Sequence, residues 1–263
     1  MTGSADMEPC LVFRADLPEG TIELGFSELP AAAFDSVSAT LELNKHEELI
    51  QSLENWLGVG LDFSYGAYSI VSPPLFSITP QTQPLNIAVS LPAHTWVYRQ
   101  GDFPVIDNNS YRITWPTHHA TLELTTVDLS DADRQKLEPE SLLLLPKSFN
   151  NEWAVDLVIP ALKYRQSGLL VKDPFSWQGL LAFPQPDSSA DAQPSESGAE
   201  NVGCYFELST ELLLASGNEL NTYVNDRLTG SACVVNTTEN KKYTGHMIPV
   251  GNGFGMRVEH ALF

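Results

Sequence analysis

Apolar and polar positions alternate with a period of two through Thr21-Ile22-Glu23-Leu24-Gly25-Phe26 and again through Ser38-Ala39-Thr40-Leu41-Glu42-Leu43. Both stretches read as half-buried strands, because successive strand side chains point to opposite faces. The rhythm then changes. Leu49, Ile50, Leu53, Trp56 and Leu57 recur at helical spacing, which predicts a helix between Asn44 and Gly58. Asn44 can cap it, Glu47 stands in a capping-box position, and Gly58 offers a left-handed stop. Trp56 lies on the apolar stripe and is expected in the core. Prolines 73, 74, 80 and 84 make the stretch from 72 to 84 a loop. Leu85, Ile87, Val89 and Leu91 alternate again, and Trp96-Val97-Tyr98 reads as one more strand. Gly101-Asp102 and Asp107-Asn108-Asn109 supply turn chemistry around it.

The segment from Tyr111 to Ile159 has the densest pattern. Thr121, Glu123 and Thr125 alternate with Leu122, Leu124 and Val127, giving one wet and one buried face. Ser130 is placed to cap a short helix, with Asp131 and Asp133 in its positive first turn. Pro139 ends that segment, because the residue before a proline is driven away from helical dihedrals. Leu142-Leu143-Leu144-Leu145 follows as a strand too apolar to face water. Asn150-Asn151 then turns into the strand Trp153-Ala154-Val155-Asp156-Leu157-Val158.

From Pro184 to Gly203 the chain is rich in Pro, Ser, Ala, Asp, Glu and Gln, with no aromatic residue. Such a segment cannot bury enough apolar area to offset its ordering entropy, and it reads as a flexible acidic linker. Cys204 to Leu214 and Leu220 to Val235 resume strand-like alternation, with Asn225-Asp226 as a hairpin turn. The Asn252-Gly253 turn leads into a last strand, Phe254 to Val258.

Composition narrows the class. The chain has 263 residues, of which 43% are hydrophobic and 18% charged, enough apolar content for packed cores. No apolar run is long enough to span a bilayer as a helix, and Met1 to Asp6 has neither the basic flank nor the apolar core of a secretory signal. A cytoplasmic location is therefore expected. Cys10, Cys204 and Cys233 are scattered and odd in number, which argues against a disulfide framework or a zinc site. The formal net charge of −19 repels phosphate backbones, so neither nucleic acid nor an anionic membrane is an expected partner. A basic protein surface suits it better.

Candidate chemistry is sparse. His118-His119 would point to opposite faces of a strand and could not share a metal. The carboxylate pairs Glu47-Glu48, Asp131 with Asp133, and Glu138 with Glu140 look like cap and surface residues. Gly251 to Gly255 is glycine-rich but opens no predicted helix and lacks the lysine of a phosphate loop. Asn236-Thr237-Thr238 matches a glycosylation pattern, which means nothing without a secretory signal. No catalytic residue, metal or cofactor is expected.

Leu137-Glu138-Pro139-Glu140-Ser141, followed by the four leucines 142–145, resembles the surface-presentation-of-antigens (SPOA) module. That module carries a leucine, then x-Pro-Gly-Asp and an apolar strand. Glu140 and Ser141 depart from the usual Gly-Asp. Leu53-Glu54-Asn55-Trp56-Leu57-Gly58 is similar to a helix end near the start of the SctQ family, the C-ring or sorting-platform proteins of type III secretion. Tyr223 to Gly230, with Gly253-Phe254-Gly255-Met256-Arg257-Val258, resembles the end of a second such module, although Thr237 to Gly251 separates the two pieces.

The resemblance implies a β-rich α+β protein. Its parts would be an N-terminal α+β domain (1–102), an SPOA-like module (103–183), the linker (184–203) and a divergent or incomplete second module (204–263). It also implies a non-enzymatic scaffold at the cytoplasmic face of the bacterial inner membrane. The implied partners are the stator, the ATPase complex, the ring adaptor and chaperone–cargo complexes, together with self-association through the modules. Contact with the membrane would run through those partners only. The interface would be carried by Leu142, Leu143, Leu144, Leu145, Trp153, Val155, Leu157, Val224, Leu228 and Val258. Two other readings remain: a β-rich structural or binding protein of another assembly, such as a phage or a different secretion machine, and a carboxylate-dependent hydrolase.

Overall fold

A computed structural model describes residues 10–18, 20–66, 73–81, 84–96, 110–172, 175–180, 199–215, 217–230, 233–236 and 242–262. The chain is a β-rich α+β protein with two antiparallel sheets among the described residues, and it divides into two compact units. One comprises 1–117 with 209–215, the other 118–208 with 216–263.

The first unit is built on six strands. They are β1 (Cys10–Leu17), β2 (Gly20–Pro30), β3 (Ser64–Gly66), β4 (Phe76–Pro80), β5 (Ile87–Ser90) and β6 (Tyr111–Thr114), in the order β3-β1-β2-β5-β4-β6. The helices α1 (Ser36–Asn44), α2 (Glu47–Leu57), α3 (Ala93–Trp96) and, from later in the chain, α5 (Thr210–Leu214) belong to it. Leu11, Phe13, Ile22, Leu24, Phe26, Ile78 and Val89 are buried with Leu49, Leu53, Trp56 and Leu57 of α2. Gly58 closes α2 in the left-handed conformation, as its position suggested.

Four sequence expectations differ from the structure of this unit. The stretch 38–43 is helical: Asp35 accepts from the Ser38 amide at 2.8 Å while Ser38 Oγ accepts from the Asp35 amide at 3.0 Å. That reciprocal cap fixes a helix whose buried residues, Ala39 and Leu43, are four apart, and it leaves Leu41 61% exposed. Asn44 therefore ends α1, and α2 starts afresh after His46, which makes no side-chain cap bond. The proline-marked stretch 72–84 contains β4, whose only proline is its last residue, and Trp96 ends the short helix α3. Val97-Tyr98, Gly101-Asp102 and Asp107 to Asn109 lie outside the described residues.

Among the described residues the second unit holds a nine-stranded sheet. Its strands are β7 (Thr117–Asp128), β8 (Leu142–Leu144), β9 (Trp153–Ile159), β10 (Tyr164–Lys172), β11 (Phe175–Leu180), β12 (Ala199–Ser209), β13 (Cys233–Asn236), β14 (Lys242–Val250) and β15 (Gly253–Leu262). Their order is β11-β10-β9-β7-β12-β13-β14-β15-β8. Among the described residues the helices α4 (Asp131–Arg134) and α6 (Gly217–Gly230) also belong to this unit. Ser130 caps α4, accepting from the Asp133 amide at 3.2 Å.

Strand pairing joins segments that the sequence reading assigns to separate modules. Residues from both expected modules (103–183 and 204–263) lie in one sheet, through β7 beside β12 and β15 beside β8. Long-range pairing leaves no trace in local alternation, so module boundaries could not be read from it. Residues 199–203 of the expected linker are strand β12; 184–198 lie outside the described residues. The expected hairpin at Asn225-Asp226 is the middle of α6. Leu220, Val224 and Leu228 are buried while Thr222 and Asp226 between them are exposed, which is a helical stripe rather than a strand face. Asn225 fastens α6 to β11: its Oδ1 accepts from the Trp177 amide at 2.6 Å and its Nδ2 donates to the Trp177 carbonyl at 3.1 Å. Trp177 in turn lies against Gly168, where an added Cβ would fall 1.9 Å from the indole.

Candidate interaction surface at the β8 edge

The turn before β8 is a proline turn. Pro139 supplies the fixed φ of its second position, and the Ser141 amide donates to the Glu138 carbonyl at 3.0 Å. Glu140 takes the third position with φ +74°, a left-handed conformation that ordinarily favours glycine. Two bonds attach this turn to β15: the Glu140 amide to the Val258 carbonyl at 2.8 Å, and the Val258 amide to the Ser141 carbonyl at 2.9 Å.

β8 then runs antiparallel to β15, with Leu142 opposite Arg257, Leu143 opposite Met256 and Leu144 opposite Gly255. Its two faces differ sharply. Leu143 and Leu145 are buried with Met256 and Val258, whereas Leu142 and Leu144 are each 48% exposed. The expectation of a strand wholly shielded from water is thus half corrected: alternation along a strand at the end of a sheet puts every second leucine outside.

Phe149 extends the exposed side. It ends the 3-10 turn Pro146–Phe149, is 43% exposed, and lies over Gly253, where a Cβ would come 2.8 Å from its ring. Leu142 covers Gly255 in the same way, its Cδ1 2.8 Å from the would-be Cβ, with Val250 Cγ2 at 3.2 Å. Two bare glycines in β15 let these side chains lie close to the sheet. The turn carrying Phe149 is fixed by Ser148, fully buried, whose hydroxyl donates to the Leu145 carbonyl at 2.6 Å and accepts from the Phe254 amide at 2.7 Å. Phe149 was missed at the sequence level, where only its place one turn after Pro146 hinted at its position.

Among the described residues β8 is a terminal strand of its sheet. The Leu145 amide and the Ser141 carbonyl bond to β15. By the alternation of an antiparallel ladder, the N–H and C=O groups of Leu142 and Leu144 therefore point to the open side. An open edge flanked by exposed leucines can accept a further strand or an apolar side chain from outside.

The other expected interface residues are core. Trp153, Val155, Leu157, Val224, Leu228 and Val258 are buried, as are Leu143 and Leu145. Trp153 stacks on Phe254 at 5.6 Å and its Nε1 donates to the Leu124 carbonyl at 3.0 Å. Buried side chains of this kind are not presented to a partner.

The remaining candidates fall elsewhere. His119 pairs with Glu207 at 2.5 Å on the exposed side of the sheet, while His118 is half-buried, its pKa held down by burial against the pull of Glu207. Asp133 is engaged by Ser130, whose hydroxyl bond holds its carboxyl below the usual range, and Glu138 and Glu140 are exposed. The Asp131 side chain lies outside what is described. Among the described residues no group of three or more His, Cys, Asp or Glu is placed to hold a metal ion, and no helix is long and apolar enough to cross a membrane. Cys10 is a free, half-buried thiol, and Cys204 is buried.

Comparison of the chain with protein-family models, with curated proteins and with solved structures returns no match.

Proposed function

We propose that this chain is a non-enzymatic scaffold that works by protein–protein contact at the β8 edge, as a component of the cytoplasmic sorting platform of a type III secretion apparatus. The observation that carries the contact surface is the exposure of Leu142 and Leu144, 48% each, on a terminal strand beside Phe149. A net charge of −19 favours a basic partner surface, by attraction during encounter. Two features support the placement in the secretion platform. The Leu137-Glu138-Pro139-Glu140 turn takes a glycine-type backbone at the position where the SPOA pattern has glycine. The two stretches that resemble SPOA sequence, 137–145 and 253–258, pair with one another. In this role the chain sits at the inner membrane through its partners: the stator, the ATPase complex, the ring adaptor and chaperone–cargo complexes.

A second reading, a β-rich binding protein of a different assembly, is favoured by the helix at Tyr223 to Gly230, which departs from the second-module pattern. The experiment is affinity capture with the full chain from its native cytoplasm, comparing wild type with Leu144→Asp. Recovery of a coiled-coil stator and an ATPase by the wild type alone supports the first reading. Recovery of other structural proteins, lost in Leu144→Asp, supports the second. Equal capture by both chains refutes the β8 surface. Val155→Asp is no substitute, because Val155 is core and its replacement unfolds the unit.

A further inference from the structure

The first unit buries a histidine whose ring has no hydrogen-bond partner among the described residues. His46 joins α1 to α2; its amide donates to the Leu43 carbonyl at 2.9 Å and its carbonyl accepts from the Ile50 amide at 3.1 Å. Its side chain is 3% exposed, and neither ring nitrogen finds a hydrogen-bond partner among the described residues. The ring lies between the sheet and the helices, 5.5 Å from Phe26 of β2 and 6.5 Å from Tyr111 of β6. It also stands at the start of α2, where the helix dipole disfavours a cation.

We propose that His46 is an acid-sensitive latch, which holds α1 and α2 on the six-stranded sheet while neutral and releases them when protonated.

The groups facing it do not rescue the charged form. From α1, Glu42 pulls its pKa up and Lys45 pushes it down, but those two are bonded to each other at 2.5 Å. Glu48 of α2 acts on Tyr111, whose phenol is pushed up by burial first and by that carboxylate second, and which therefore stays neutral across the relevant range. β2 presents the uncharged ring of Phe26. Burial is the largest influence, and it holds the imidazole below its ordinary value of 6.5. The folded unit thus binds fewer protons than the opened one. Stability from this group is complete above about pH 6.5 and is lost as the pH falls, with opening favoured by up to about tenfold per pH unit. Opening uncovers the apolar stripe Leu49, Leu53, Trp56 and Leu57.

The experiment is amide hydrogen exchange on the full chain from pH 7.5 to 5, corrected for intrinsic exchange, with wild type and His46→Phe. The expected result is a fall in protection confined to α1 and α2 below about pH 6.5 in the wild type, approaching tenfold per pH unit, and a flat profile in His46→Phe. The same pH dependence in both chains overturns the proposal. Should the variant fail to fold, the Cε1–H resonance of His46 in the wild type decides. Titration that coincides with loss of α1–α2 protection supports the latch, and titration with protection intact overturns it.

Discussion

Replacing Glu140 with glycine isolates the geometry on which the β8 edge depends. Glu140 holds φ at +74° because the turn from Glu138 to Ser141 is clamped to Val258 on β15 by two backbone bonds. A residue with a Cβ in the left-handed region carries a penalty of about 1–2 kcal/mol, which glycine avoids. Glycine also gives the unfolded chain more freedom, and that costs about 0.5–1 kcal/mol. The difference leaves Glu140→Gly more stable by about 0.5–1 kcal/mol, a rise in Tm of about 2–3 °C for a unit of this size. Glu140→Ala serves as the control, since alanine keeps the Cβ and removes only an exposed carboxylate; it should shift stability by less than about 0.5 kcal/mol. Urea unfolding followed by the fluorescence of Trp153 and Trp177, both in the same unit, reads the effect. A glycine variant less stable than wild type, or an alanine variant that gains as much, would refute the left-handed turn.

Other substitutions probe the supports of that edge and of the unit around it. Ser148→Ala removes a buried hydroxyl that serves the Leu145 carbonyl and the Phe254 amide, so it should cost about 1–3 kcal/mol in the same unfolding assay. Gly168→Ala places a methyl 1.9 Å from the Trp177 indole and should destabilise by about 1–3 kcal/mol or more, with altered Trp177 fluorescence before unfolding. Leu144→Asp, on the exposed side, should leave unfolding within about 0.5 kcal/mol of wild type, which makes its effect on capture interpretable.

Legibility in the sequence followed the range of the forces involved. The α2 stripe, its Gly58 stop, the Ser130 cap and the strands β2, β5, β7 and β9 rest on local periodicity and local hydrogen bonds, and they appear where the pattern puts them. The misreadings share a cause. Ala39, Leu41 and Leu43 satisfy a strand period, yet the Asp35–Ser38 cap turned that stretch into a helix in which Leu41 has no burial role. Val224 and Leu228 fit both periods, and the exposure of Thr222 and Asp226, which a strand would put on the same face, resolves them as helix. The interface residues show the limit most plainly. Four consecutive leucines announce a strand, but only the position of β8 at the end of a sheet determines that Leu142 and Leu144 face outward. Sheet order is set by pairings between residues more than a hundred positions apart, such as Leu143 with Met256, and no window along the chain contains them.

The most direct test of the scaffold account is hydrogen exchange at the amides of Leu142 and Leu144, in the free chain and in the complex captured by affinity purification. Their N–H groups lie on the open side of β8, so they should exchange rapidly in the free chain and slow markedly when a partner covers that edge. A stable complex in which both amides exchange as fast as before would contradict it.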